Sequence, residues 1–182
     1  NAYMANPMKL GLISWTAHAY YTFHPTKTPK NRSRGGMMTV FRYPRPGLMW
    51  YKAELTDYPF IHIETEWKEG VDEVVVYSNA AKVQLLVNGK KIAEQFPSKK
   101  DDYKNLKHPP FIFKINKFEK GILTANGMTD GKLLVTEQKQ TPEQPYKIDL
   151  DLDIAGRDFV ADGSDILVGY AKVTDKNGTI IK

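Results

Sequence analysis

The rhythm of apolar positions changes along the chain, and each change marks a different kind of element. Near the start, Gly11-Leu12-Ile13-Ser14-Trp15 is a short continuous apolar run, the pattern of a strand buried on both faces. After the Pro44-Arg45-Pro46 break, Leu48, Tyr51, Lys52 and Leu55 recur at helical spacing, which predicts a helix over Gly47–Leu55. Beyond about residue 58 the period shortens to two. Ile61-His62-Ile63-Glu64-Thr65 alternates apolar and polar like a half-buried strand. Val74–Tyr77 and Val83–Val87 are further strands on either side of a turn-like break at Ser78-Asn79-Ala80-Ala81. Asn88-Gly89 follows, a hairpin signal because both turn residues must accept positive φ. Phe111–Ile115, Ile122–Gly127 and Lys132–Gln138 complete the series, with Thr129-Asp130-Gly131 turning between the last two. Short strands punctuated this way predict a β-sandwich.

Pro142 to Pro145 reads as a linker. Tyr146 to Asp153 then alternates strictly, Asp162-Gly163-Ser164 turns, Ile166–Val173 is a strand, and Asp175-Lys176-Asn177-Gly178 turns again. This makes about three strands, too few to close a sandwich alone, so the last domain is expected to be incomplete. The predicted divisions are residues 1–57, 58–141 and 142–182.

Composition narrows the class without naming it. A hydrophobic fraction of 41% and a charged fraction of 26% are those of an ordinary globular protein. The net charge of +5 raises the question of a nucleic-acid partner. The basic residues are scattered, however, and the pairs Lys90-Lys91 and Lys99-Lys100 sit beside turns. No nucleic-acid-binding signature accompanies them, so none is expected. The chain has no cysteine, which excludes disulfides and thiolate zinc sites. No stretch reaches the roughly 20 apolar residues of a membrane helix. The chain opens on Asn1-Ala2-Tyr3-Met4 without an initiator Met, as processing or a fragment would explain.

Several of these segments together resemble one family. Ser78-Asn79, Val83 to Lys90 and Asp130-Gly131-Lys132 are similar to the "YSN…VELFLNGK…DGK" pattern of the immunoglobulin-like domain that follows the barrel in family 2 β-galactosidases. Ala161-Asp162-Gly163 and Val173 to Gly178 resemble the "ADG" and "VTDKNG" segments of the next domain. Gly11–Trp15 looks like the eighth strand of the catalytic (β/α)8 barrel. Arg42 to Pro46 with Trp50-Tyr51-Lys52 looks like the start of its closing helix. The resemblance is to the C-terminal portion of glycoside hydrolase family 2, a mostly β chain. It implies the last strand and helix of a (β/α)8 barrel, an immunoglobulin-like β-sandwich and a partial second β-sandwich.

Retaining glycosidases need two carboxyls about 5–5.5 Å apart. In this family both are glutamates on earlier barrel strands, so the resemblance implies no catalytic residue in this chain and no activity of the chain alone. Within the chain, Glu64 and Glu66 would share the polar outside of a strand, Glu69, Asp72 and Glu73 flank a turn, and Asp149, Asp151 and Asp153 line one exposed strand face. Weak calcium binding is open to that last row, but a solvated face is the commoner meaning. The family places a tryptophan against the sugar at the end of the last barrel strand. Carried over, that residue is Trp15, with a plain core Trp as the equal alternative; His18, Tyr20 and Tyr21 follow on the same loop. The acidic residue often found shortly after that Trp is replaced here by Ala17-His18-Ala19.

His24, His62 and His108 lack metal-ligand spacing, and no phosphate loop or nucleophile elbow is present. No metal and no cofactor are expected. The resemblance further implies a β-galactoside or related glycan as the ligand of the full-length enzyme, an upstream catalytic barrel as partner, and a periplasmic or secreted setting. Homo-oligomerisation is a further role open to the chain. Two other readings stand beside it. One is a carbohydrate-binding or adhesive immunoglobulin-like module with no enzyme attached, which needs exposed aromatics from among Tyr77, Tyr103, Phe111 and Phe113. The other is a truncated, inert enzyme.

Overall fold

A computed structural model describes residues 16–20, 35–100, 103, 105–154, 156 and 158–181. The predicted strand Gly11–Trp15 lies outside the described residues, as do Tyr21 and His24. The chain divides into two compact units, with the boundary in sequence between Lys139 and Gln140.

In the first unit, the backbone of Thr16–Ala19 runs parallel to Met37–Met38. Ala19 N–H donates to the Met38 carbonyl at 2.9 Å, Met38 N–H to Ala17 at 3.0 Å and Met37 N–H to Thr16 at 3.1 Å. Helix α1 follows, Pro46–Leu55. Its predicted start at Gly47 moves back one residue because Pro46, with φ already near the helical value, is well suited to a first turn. Ala53 and Glu54 are its buried residues, and it lies against strand β2.

Seven strands form two antiparallel sheets. One has the order β1-β2-β5, from Ile61–Ile63, Glu73–Ser78 and Phe111–Lys114. The other has the order β4-β3-β6-β7, from Lys90–Gln95, Lys82–Val87, Ile122–Thr129 and Lys132–Gln140. Alternate residues face inward, and Ile63, Val74, Val76, Val83, Leu85, Phe111, Phe113 and Leu123 meet with Trp67 in one core. The Trp67 ring lies 4.9 Å from that of Phe118, and its indole N–H donates to the Glu119 carbonyl at 3.1 Å.

Strand β1 is shorter than its sequence pattern predicts. Beyond Glu64 the Thr65 hydroxyl, not a backbone carbonyl, accepts the Val75 N–H at 2.9 Å, which ends the ladder. Strand β4 had no alternating signature of its own and a register shift between Leu85 and Leu86 where it pairs β3. Its turn was legible: Asn88 and Gly89 both take positive φ, 50° and 80°. The Asn88 side chain then reaches the β5–β6 connection, where its Oδ1 accepts Ile122 N–H and its Nδ2 donates to Glu119 Oε1, both at 2.9 Å. Gly121, at φ +139°, is required there, since a Cβ would collide with the Asn88 amide.

The second unit contains β8, Lys147–Asp153, and β9, Val168–Thr174, paired antiparallel from Lys147↔Thr174 to Asp153↔Val168. The predicted strand from Ile166 begins two residues late because β8 offers no partner beyond Asp153. Asp175 is fully buried in the turn after β9. Its carboxylate accepts backbone N–H groups from Asn177 at 2.8 Å and from Thr179 and Glu143 at 2.9 Å, which hold its pKa below the usual carboxylate range, Glu143 contributing most.

Candidate functional site

The side-chain chemistry of the first unit concentrates where helix α1 enters the sandwich. The chain leaves α1 at Leu55 and reaches β1 at Ile61, and Ser78-Asn79 grips the span between. Asn79 Oδ1 accepts the Phe60 N–H at 2.9 Å, while Asn79 Nδ2 donates to the carbonyls of Tyr58 at 2.8 Å and Thr56 at 3.1 Å. Ser78 Oγ donates to the Phe60 carbonyl at 2.7 Å and accepts Ala80 N–H at 3.1 Å. A polar pair read in the sequence as a turn-like break is therefore a clasp: four side-chain bonds satisfy the backbone of the connector, and a fifth closes on Ala80.

Glu54 makes a second tie. Its carboxylate accepts the backbone N–H of His108 at 2.6 Å through one oxygen and that of Lys107 at 3.1 Å through the other. A helix glutamate ordinarily faces water; this one is buried because two oriented N–H donors replace the water. The same fold buries the His108 ring enough to lower its pKa, which keeps it neutral at pH 7. Glu54 thus hangs the long β4–β5 loop, residues 96–110, on α1.

That loop shapes an open concavity of about 700 Å³ lined by Phe96, Pro97, Ser98, Lys99, Tyr103, Leu106, Lys107 and Pro109. Two backbone bonds form turns on it, Tyr103 N–H to the Lys100 carbonyl and Leu106 N–H to the Tyr103 carbonyl, each at 2.9 Å. At its base Gln95 Nε2 donates to the Ile112 carbonyl at 2.9 Å. The exposed Phe96 ring sits 5.8 Å from Lys82 Nζ. That ammonium also pairs with Glu94 at 3.0 Å; the Gln84 amide together with Lys82 lowers the Glu94 pKa to about 2.

The sequence-predicted residues are placed as follows. Trp15 is outside the described residues. Glu64 and Glu66 do not form an acid pair on one strand, because β1 ends at Ile63. Glu64 lies 3.5 Å from His62 Nε2, and Glu66 pairs with Lys139 at 3.1 Å. With Glu137, which accepts Ile63 N–H at 2.6 Å and lies 3.2 Å from His62 Nδ1, these groups bind the β1 edge of one sheet to the β7 edge of the other. Glu73 is paired with Lys114 at 2.7 Å. Asp149 is held by Lys147 at 2.8 Å and by the Thr174 hydroxyl at 3.1 Å, and Asp151 by Lys172. Of the four aromatics, Phe111 and Phe113 belong to the core and offer nothing to a ligand; Tyr103 lines the concavity. Sequence reasoning missed Glu54, whose helical position carries no sign of burial, and Phe96, which lies outside every periodic segment.

A mostly antiparallel β chain that clasps an entering helix is the class this fold defines. Comparison with known proteins shows what the chain is similar to. Residues 69–135 match a family described as a domain of unknown function, DUF4982. The chain is 28% identical to a β-galactosidase of Thermoanaerobacter pseudethanolicus over 96% of its length, spanning 25% of that enzyme. It also superposes on a β-glucuronidase of glycoside hydrolase family 2 with a TM-score of 0.71 and 27% identity, covering 82% of this chain and 15% of that one. A family 2 glycosyl hydrolase of Bacteroides cellulosilyticus shares the fold, with a TM-score of 0.73 at 22% identity, over 91% of this chain and 26% of its own. These matches are to portions of glycoside hydrolase family 2 enzymes, consistent with the resemblance, and the chain spans only about a quarter or less of the length of these relatives.

Proposed function

We propose that this chain is the non-catalytic C-terminal scaffold of a retaining β-galactosidase-like or β-glucuronidase-like exo-glycosidase. In this reading residues 1–57 end the catalytic barrel, residues 58–141 are an immunoglobulin-like sandwich and residues 142–182 begin a further β domain. Seven strands in two sheets, ordered β1-β2-β5 and β4-β3-β6-β7, support the immunoglobulin-like assignment, with β4 paired to β3 rather than lying beside β5 as in the constant-type order. Trp15 is the residue proposed to meet the sugar, by carry-over from the family.

The carrying observation is the double tie on α1. Ser78-Asn79 grips the connector and Glu54 grips the β4–β5 loop, so a helix with only two buried residues is fixed to the sandwich by polar bonds. That is the joint a scaffold needs if the helix belongs to a catalytic body preceding it. The relatives' names supply the substrate class, β-galactosides or β-glucuronides.

The test is turnover of chromogenic β-galactosides and β-glucuronides. The 182-residue chain is expected to give none, and the longer enzyme containing it to hydrolyse one of them with retained anomeric configuration. Hydrolysis by the chain alone would overturn the scaffold reading, and a longer enzyme inert on both would overturn the glycosidase reading.

A further inference from the structure

The concavity formed by the β4–β5 loop has no part in the scaffold role, and its chemistry is that of a binding site. We propose that it is a secondary, non-catalytic groove for an acidic oligosaccharide, a glycan bearing uronic acid. This rests on the glycosidase reading for its ligand class and adds to it a site away from bond cleavage.

Three observations support it. The groove is of ligand size, about 700 Å³, within the roughly 300–1,000 Å³ of small-molecule sites, and its walls are mainly apolar with a few polar groups. Phe96 and Tyr103 present rings there, and an aromatic face suits the C–H face of a pyranose while leaving its hydroxyls in water. Phe96 in particular is 67% exposed, so its ring is not consumed by the core.

The groove is also prearranged. The loop ends on the Glu54 carboxylate, carries two internal turns and is tied at its base by Gln95. A surface loop held at three places loses little further freedom on binding. Charge then selects among sugars. Lys99 and Lys107 belong to the lining, which carries no carboxylate among the described residues. Lys82 is already engaged by Glu94, so Lys99 and Lys107 are the cations assigned to the uronate.

The experiment is calorimetric titration of the 182-residue chain with a glucuronate-containing hyaluronan tetrasaccharide, neutral galactotetraose and inorganic sulfate. The acidic tetrasaccharide is expected to bind at least tenfold more tightly than the neutral one, and sulfate not measurably. Phe96→Ala and Tyr103→Ala should each weaken binding about tenfold. Lys107→Met should narrow the gap between the acidic and neutral sugars, and adding Lys99→Met should bring them close to equal, because both changes remove an ammonium and leave the backbone N–H of Lys107 that Glu54 holds. Since Phe96 is exposed, Phe96→Ala keeps the thermal midpoint of the parent chain and reports on binding alone. No binding of the acidic sugar, equal binding of the neutral one, sulfate binding as tight as the sugar, or full affinity in Phe96→Ala would each overturn the proposal. Hydrolysis of a chromogenic glycoside by the longer enzyme is read separately. An active enzyme whose groove binds nothing removes the groove and leaves the glycosidase reading standing.

Discussion

The two units spend nearly the same kind of strand in opposite ways. In the first, the inward residues of two sheets meet: Val74, Val83, Leu85, Phe113 and Leu123 are wholly buried. In the second, β8 has the cleaner alternation, yet Ile148, Leu150 and Leu152 are 70%, 62% and 55% exposed. Their cross-strand partners are Val173, Ala171 and Gly169, so one face of the pair is an apolar stripe that no second layer covers among the described residues. The other face is ion-paired through Asp149, Asp151, Lys147 and Lys172. Backbone pairing organises a strand, but only a second layer turns its apolar face into stability. The periodicity of a strand therefore reports that a face is meant to be covered, not what covers it.

The largest expected effect follows from the closed core. Trp67→Ala removes the largest fully buried side chain among the described residues, together with its indole hydrogen bond to Glu119. The expected cost is about 3–5 kcal/mol, read as a drop in the urea midpoint of the sandwich. A cost under about 1 kcal/mol would mean the core is not the tight body described.

Next comes the clasp. Asn79→Ala leaves the Phe60 N–H and the Thr56 carbonyl without their side-chain partner. Losing the partner of a part-buried group costs about 1–3 kcal/mol. Hydrogen exchange should localise the damage to residues 56–60. Uniform loosening of the sandwich instead would show that Asn79 acts through the core rather than on the connector.

What could be read in advance divides along a physical line. Strands with branched residues in strict alternation, such as Val74-Val75-Val76 and Ile148-Asp149-Leu150, announced themselves because both period and residue type agree. Lys90–Gln95 did not, since it is an edge strand whose mostly exposed residues need no apolar pattern. Asn88-Gly89 announced a turn through backbone geometry alone; that the Asn88 amide also pins the β5–β6 connection depends on a segment some 31 residues later. Ser78-Asn79 looked like a break for the same reason. Glu54 was hidden most deeply, because its partners are backbone N–H groups 53 and 54 residues away. Side-chain-to-backbone bonds across such separations leave no periodic trace, and the candidate groove is built on one of them.

Acid should probe the second unit without touching its apolar face. Asp175 is held below its ordinary pKa by the N–H of Glu143 first, then of Thr179 and Asn177. In the unfolded chain an aspartate protonates near pH 3.9. Because the folded value is lower, the stabilisation is fully present above that pH and is lost as pH falls through the folded pKa. The amide signals of Glu143, Asn177 and Thr179 should therefore hold their positions at pH 5 and shift together only below about pH 4. Asp175→Asn should abolish this dependence. Survival of the same acid transition in that variant would assign it to another carboxylate, Asp149 first, whose pKa is also lowered, chiefly by Lys147.

The smallest expected change is the one that tests the comparison most directly. Leu150→Ser places a hydroxyl at the centre of the apolar stripe, opposite Ala171. At a buried strand position such a substitution would cost several kcal/mol, as the Trp67 change should. At a position already 62% exposed it removes almost no burial, and the thermal midpoint of the 182-residue chain should move by an amount equivalent to about 0.5 kcal/mol or less. The solubility limit should rise at the same time, because a contiguous exposed apolar face is what self-associates. A cost approaching that of Trp67→Ala would mean that Leu150 is covered in solution, and the contrast between a closed sheet pair and an open one would fail.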